Sequence, residues 1–269
     1  VTASSDRPEQ ARFNPEPFYA LLVAAVTAWL WLRDGIERSP IVWDHAYFTV
    51  LSQQILAGKS IYANSFMGYP PLALMISAAA MAVGSWFELP TYLAPRHLAV
   101  AVGIGAVVAS YTIARRATGS VLAGIAAADV LGSFQVFSSS ALETLEPKLV
   151  VVAFELFAGL ALQRRWWWGA GAFAAAAASC WQPAVLVVLA CGVVAIYESR
   201  NPTAQPPVRS AVWLRFAFGS VCGAAPAAAY IAIHGAWRGF WTRSVLIPIQ
   251  AQLPDAGGSP LYWLHVATV

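Results

Sequence analysis

The sequence predicts an all-α membrane protein, a multi-span helical bundle with amphipathic interfacial helices in its first outer loop. Composition is the first observation behind this: the 269 residues are 59% hydrophobic and 11% charged, with a mean hydropathy of +0.60, whereas a soluble domain carries roughly a quarter charged residues. Apolar runs are the second. Seven of them approach the length of a span, at 17–33, 96–114, 120–137, 148–163, 168–181, 183–197 and 212–233. An eighth, "SPLYWLHVATV", is cut off at Val269, as expected for the N-terminal part of a longer chain. The third is that the short basic connections fall at alternate ends of these runs. The apolar excess is spread along the chain, so residues 1–269 are read as a single transmembrane domain.

The polar N-terminus "VTASSDRPEQARFNPEP" holds Arg7 and Arg12 and lacks the small-residue cleavage site of a signal peptide, so it reads as a short cytoplasmic tail. After the first run comes a long segment, 34–93, expected to be the first extracytoplasmic loop. Within it, Phe48, Leu51 and Ile55 fall on one side of a helix and His45, Thr49, Gln53 and Gln54 on the other. This spacing predicts an interfacial helix that ends at Gly58. Asp44 would sit at its N-terminal end, where backbone N–H groups and the helix dipole favour a carboxylate; from position alone it is a helix cap or a functional group.

The next stretch, "PPLALMISAAAMAVGSWF" at 70–87, is apolar but short. A helix from Leu72 to Phe87 rises only about 24 Å, against roughly 30 Å of hydrocarbon. If it spans, "ARRATGS" and "LQRRWWWG" fall outside, against the positive-inside rule. If it docks at the interface, Arg115, Arg116, Arg164, Arg165, Arg200, Arg209 and Arg215 join the N-terminal arginines on one side. The distribution of charge therefore favours the docked helix, with a span as the alternative.

The outer surface then comprises the first loop, a short loop "SSSALETLEPK", a turn near "CWQP" and a later loop at 234–259. Acidic residues collect on it: Asp34, Glu37, Asp44, Glu88, Glu143, Glu146 and Asp255. Asp129 and Glu155 instead lie inside expected spans, where an ionised group is costly unless paired; a proton or substrate path and a polar tie between helices are the two readings. The small residues of "GAGAFAAAAASC" suit close helix packing in lipid. Cys180, Cys191 and Cys222 have no CxxC spacing and are expected as buried apolar thiols. His234 and His265 have no metal-spaced partner, so no metal site is assigned. The net charge of +3 is divided between the two faces and gives no reason to expect a nucleic-acid partner.

The order Asp44-His45-Ala46-Tyr47-Phe48, then "ILAGKSIY", then "YPPLAL" from Tyr69 through Pro70 and Pro71, resembles the first outer loop of the GT-C class of polytopic glycosyltransferases. That class includes protein O-mannosyltransferases, lipid A aminoarabinose transferases and mycobacterial polyprenyl-phosphate-dependent mannosyl- and arabinosyltransferases, and the YPPL points to a mannosyltransferase-like subgroup. "RHLAVAVGIGAVVASYTIARRATGS", "LETLEPKLVVVAFELFAGLALQRR" and "CWQPAVLVVLA" follow in the expected order. The resemblance implies that Asp44 is the catalytic base or orients the acceptor. It also implies that Glu143 or Glu146 is a second acidic site residue, and that His45, Tyr47, Tyr69, Pro70, Pro71 and Gln182 belong to the loop motifs.

Two departures matter. Trp181 stands where relatives carry a basic residue, and Tyr69 where many carry a phosphate-contacting lysine. Positive charge for the donor phosphate must then come from Lys59, Arg96, Lys148, Arg238 or Arg243. Four of these have a plainer reading: Arg238 and Arg243 as interfacial anchors beside "GFWT", Arg96 as a snorkelling side chain, Lys148 as the local partner of Glu146.

The implied activity is transfer of a mannose- or arabinose-like sugar from a polyprenyl-phosphate donor to an extracytoplasmic lipid, glycan or protein acceptor. The mechanism would be inverting. The resemblance fixes no cofactor, and a divalent metal ion is the candidate, because some relatives use one between outer-loop carboxylates. Membrane lipids complete the expected partners, and the Ala-, Gly-, Arg- and Trp-rich composition fits the cytoplasmic membrane of a GC-rich bacterium. A transporter or flippase of a lipid-linked substrate is the alternative; it predicts inverted repeats and facing midplane charges, which this sequence does not display. The altered "CWQP" turn also fits an inactive relative that binds lipid.

Overall fold

A computed structural model describes residues 16–33, 35–36, 43–63, 67–200 and 206–247, with the side chains of residues 43, 44 and 206–210 outside the description. Asp34, Glu37, Asp255, His265 and the expected eighth span lie outside the described residues. Regular structure within them is helical: α1 (Glu16–Leu32), α2 (Trp43–Leu56), α3 (Leu72–Ser85), α4 (Leu93–Thr118), α5 (Val121–Ser133), α6 (Gln135–Glu143), α7 (Pro147–Gln163), α8 (Trp167–Ala178), α9 (Val185–Arg200), α10 (Pro206–Ile233) and α11 (Trp237–Phe240). A 3-10 turn, Gln182–Ala184, leads into α9, and a π-helical turn, Trp241–Leu246, follows α11.

Local chemistry sets several of these boundaries. Gly119 ends α4 in the left-handed region at φ 71°, its N–H bonded to the Arg115 carbonyl, and Ser120 starts α5 by accepting from the Ala123 N–H. One Thr-Gly-Ser step thus stops one helix and starts the next. Gly58, at φ 71°, marks the end of α2 in the same way. Pro147 opens α7, where its missing N–H costs nothing.

Among the described residues three helices are long and apolar enough to cross a membrane: α4, the stretch Gln182–Arg200, and Ala211–Ile233 within α10. Large apolar side chains on α5, α9 and α10, such as Leu122, Leu186, Phe218 and Val221, are exposed, as a lipid-facing surface requires. The expected spans at 17–33 and 148–163 form helices of 17 residues each. The expected span at 168–181 is shorter still: α8 has 12 residues, about 18 Å of rise, and lies against α7, α9 and α10.

The run at 120–137 is not one straight span. It breaks at Phe134, whose ψ of 108° is extended, and α5 and α6 meet at a 62° bend. The serines expected in a loop are helical instead, in α6, where the hydroxyls of Ser138 and Ser139 are satisfied by carbonyls three residues earlier.

Two contacts orient α1 against α4. Arg116, near the end of α4, pairs with Glu16 at the start of α1 at 3.0 Å. Arg96, near the start of α4, donates to the Ile36 carbonyl just beyond α1 at 3.2 Å. The helices are antiparallel, so everything between 36 and 96 begins and finishes at one end of the bundle. α3 stays there: the Leu72 N–H at its start donates to the Ser179 carbonyl after α8, and Gly84 near its end packs on Ala94 in the first turn of α4.

α8 and α10 approach backbone to backbone. A Cβ on Gly171 would overlap the Phe216 carbonyl, one on Gly219 the Trp168 carbonyl, and one on Gly223 the Ala172 carbonyl. Gly219 and Gly223 are four residues apart and so share a face, the spacing that lets helices touch in lipid. Cys180 and Cys191 are buried free thiols as expected, but Cys222, beside this seam, is exposed. Neither Asp129, on a cleft of about 390 Å³ between α1 and α5, nor half-buried Glu155 has a side-chain partner among the described residues, so the polar-tie reading finds no support there.

A methyl group at the seam should be felt strongly. Gly219→Ala is expected to lower the unfolding temperature in detergent by an amount corresponding to about 1–3 kcal/mol of overpacking. Gly132→Ala, where the added Cβ would meet Val107 at an ordinary 3.7 Å, is expected to leave it unchanged or slightly raised.

Candidate active site

The end of the bundle that holds α2 and α3 gathers most of the polar groups singled out above. α2 packs Phe48 and Leu51 against Ile61, Tyr62, Met67, Leu74, Tyr230 and Ile231, so its apolar face lies on protein. Its polar face differs from the expectation. His45 is buried, 7% exposed, while Tyr47, Val50 and Leu56 face outward.

His45 is inside because of residues about a hundred positions away. Its Nδ1 lies 2.5 Å from Glu143 Oε2, at an angle outside hydrogen-bond geometry, and its Nε2 lies 3.7 Å from Glu146 Oε2. Ser140 completes the cluster by donating to Glu146 Oε1. Glu143 ends α6 and Glu146 precedes α7, so the Phe134 bend and the short Thr144-Leu145-Glu146 link place one carboxylate on each edge of the imidazole. Burial, the largest influence, pushes the Glu146 carboxyl up. His45, the Ser140 hydroxyl and the positive charge of Lys148 together outweigh it and hold that carboxyl below the ordinary carboxylate range.

Arg96 is also buried, at 2% exposure. Its guanidinium donates from Nε to the Glu143 carbonyl at 2.9 Å, besides the bond to Ile36, and lies over the Tyr92 ring. Expected among the phosphate-facing cations, it instead ties the ends of α1, α4 and α6 together.

The Tyr69-Pro70-Pro71 segment is held from two sides. Gln182 donates to the Gly68 carbonyl at 2.6 Å and to the Ser244 carbonyl. The Ser244 hydroxyl reaches the carbonyls of Met67 and Tyr69, each at 3.3 Å, and Tyr62 donates to the Tyr69 carbonyl at 2.9 Å. The Tyr69 ring meets Phe48 of α2 edge-on, and both prolines are buried, Pro71 leading directly into α3. Gln182 is therefore a strut between this loop and the π-helical turn. The contributions of Ser140, Tyr62 and Ser244 were not legible in the sequence, because their partners lie on other segments of the chain.

Asp44 is the second residue of α2, and its side chain lies outside the described residues. One turn further, burial raises the Tyr47 hydroxyl above its ordinary value, and the nearby positive charge of Arg243 partly opposes that rise. Arg243 thus lies close to the first turns of α2. Lys148 is exposed in the first turn of α7 beside Glu146. Lys59 and Arg238 are exposed, and no contact joins them to the His45 cluster among the described residues.

A divalent metal does not suit this cluster. Glu143 and Glu146 face opposite nitrogens of one imidazole, so a single ion could not take all three groups, and no set of three candidate ligands occurs among the described residues.

The architecture has a solved counterpart. The structure of the Saccharomyces cerevisiae protein O-mannosyltransferase Pmt1-Pmt2 complex bound to the sugar donor superposes with a TM-score of 0.68 at 16% sequence identity. The match covers 85% of this chain and 34% of that one. The chain has a GT-C-like fold. No protein-family model and no curated protein sequence matches it.

Two outcomes test the cluster. His45→Ala, which leaves two carboxylates facing each other in a largely buried site, is expected to cost about 3–5 kcal/mol of stability. Glu146→Gln in that background should then cost less than it does alone. Because the Glu146 carboxyl is depressed in the folded state, its contribution is complete above its ordinary value of 4.5 and is lost as the pH falls through the lower folded value. The unfolding temperature should therefore drop as the pH falls from 4.5 to that lower value, and Glu146→Gln should flatten the drop.

Proposed function

We propose that this chain is part of an integral membrane glycosyltransferase. It would transfer a sugar from a polyprenyl-phosphate donor to an acceptor hydroxyl on the extracytoplasmic face of a bacterial cytoplasmic membrane. The observation that carries the reading is the meeting, at one end of a GT-C-like bundle, of the first turns of α2 and the Glu143–His45–Glu146 cluster, with the positive charge of Arg243 felt at Tyr47 of the same helix. The donor-bound mannosyltransferase with the same fold supports it. So does the placement of Arg115, Arg116, Arg164 and Arg165 at the opposite end, which the positive-inside rule makes cytoplasmic.

The chemistry assigned to each group follows from its charge. Asp44, at the amino end of a helix, is kept ionised by the helix dipole and removes the acceptor proton as the acceptor oxygen bonds to the anomeric carbon. The bond from that carbon to the phosphate oxygen breaks on the opposite face, and the electron pair leaves with polyprenyl phosphate. Arg243 and exposed Lys148 are the cations available to meet the charge that grows on the leaving phosphate. His45 touches no reacting atom in this scheme. It fixes the start of α2, and hence Asp44, against α6 and α7.

Membranes carrying the full-length protein, supplied with labelled polyprenyl-phosphate mannose or arabinose, should transfer one of the two sugars. Asp44→Asn should reduce that transfer by about 10²–10⁴-fold at equal expression, the usual weight of a general base. Arg243→Gln should lower the rate with the same sugar preference. Equal transfer by the wild type and Asp44→Asn would remove Asp44 as the base, and no transfer from either donor would remove the proposed activity.

A further inference from the structure

At the end of the bundle opposite His45, the turn from α7 to α8 reads Arg164-Arg165-Trp166-Trp167-Trp168. α10 passes beside it, and an open cleft of about 640 Å³ lies between them, with Arg165, Arg215, Trp166, Trp168, Leu214 and Phe218 on its walls. The proposed transfer uses none of these residues.

The walls are fixed. Trp166 and Trp168 meet edge to face with ring centroids 4.5 Å apart, Trp166 also packs on Phe173, and the Trp168 carbonyl sits where a Cβ of Gly219 would be. The spacing of α8 and α10, and so the width of the cleft, is set by that backbone contact. Leu214 and Phe218 lie one turn apart on α10 and are 64% and 66% exposed, which makes an apolar strip running from Arg215 toward the middle of the bundle.

The charge is unbalanced. No carboxylate lines the cleft, and neither the Arg165 nor the Arg215 guanidinium has a hydrogen bond or ion pair among the described residues. The neighbouring cleft differs. There Arg164 and Arg116 share the wall with Glu16, and Glu16 is bonded to Arg116 at 3.0 Å. Adjacent arginines of one turn thus face one cleft that holds a carboxylate and one that is purely cationic.

Two guanidiniums above an apolar strip at a membrane surface match a charged phosphate carrying a hydrocarbon chain. The planar fork of each guanidinium fits phosphate oxygens, and basic pockets between helices on this kind of surface take anionic headgroups. We propose that this cleft binds one anionic phospholipid, its phosphate between Arg165 and Arg215 and an acyl chain along Leu214 and Phe218. A zwitterionic lipid would bring an ammonium into a cleft without a carboxylate. Soluble glycerol phosphate would leave the strip uncovered.

Native mass spectrometry of the full-length protein in detergent tests this, with added phosphatidylglycerol, phosphatidylcholine or soluble glycerol phosphate. The wild type should retain one phosphatidylglycerol saturably, and glycerol phosphate should not displace it. Arg165→Gln with Arg215→Gln should weaken retention about thirtyfold, the factor given by two basic residues near an anionic membrane surface. The paired lysine substitutions should restore part of it, and Arg200→Gln should leave it unchanged. Equal retention by the paired glutamine variant, equal retention of phosphatidylcholine, or displacement by glycerol phosphate would each overturn the proposal. Matching unfolding temperatures keep a folding defect from standing in for lost binding.

Discussion

The backbone contact between α8 and α10 is the constraint on which the rest of the molecule depends. Lipid supplies no hydrophobic drive for two apolar helices to associate, so close approach must come from van der Waals contact, and Gly171, Gly219 and Gly223 allow it by having no side chain. The segment after each helix is then fixed in place. α8 is succeeded by Ser179, whose carbonyl receives the start of α3, and by Gln182. α10 carries Tyr230, which donates to the Lys59 carbonyl and accepts from the Ile61 N–H, and leads on to Ser244. Residues 59–61 are gripped by α10 and residues 67–69 by Gln182 and Ser244, and α2 rests against both.

A second layer of order is electrostatic. An imidazole between two largely buried carboxylates is an expensive arrangement to desolvate, and such clusters contribute more to defining one geometry than to net stability. Here the geometry defined is that of α2 against the α6–α7 link. Arg96 reinforces it from the backbone side, since its bond to the Glu143 carbonyl holds the same residue whose carboxylate meets His45. The carboxylates and the helix they orient are therefore positioned by separate elements that converge on Glu143.

Much of the local architecture was legible in the sequence because it depends on neighbours a few residues away. The end of α2 at Gly58 and the Thr-Gly-Ser step between α4 and α5 follow from glycine and serine acting on their own backbone. The burial of His45 does not. A helical pattern counts residues within one element, and the partners of His45 are near 143 and 146. The Phe134 break was hidden for a related reason: Val121 to Phe137 is mostly apolar, with Asp129, Ser133 and Gln135 as its polar side chains, and its residue pattern does not set the angle at which two halves meet. The role of Arg96 was hidden in the same way, because two of its donors are directed at carbonyls on two other segments.

The placement of α3 has a topological meaning. Its first residue meets the chain after α8 and its last turn meets the first turn of α4, both at the end where Arg96 reaches Ile36. An apolar segment that returns to the end it left changes the number of hydrophobic stretches but not the parity of crossings. Every later helix runs in the direction it would have if α3 were deleted. A count of apolar runs would invert all of them, and with them the side of the membrane on which each arginine and each glutamate is taken to lie.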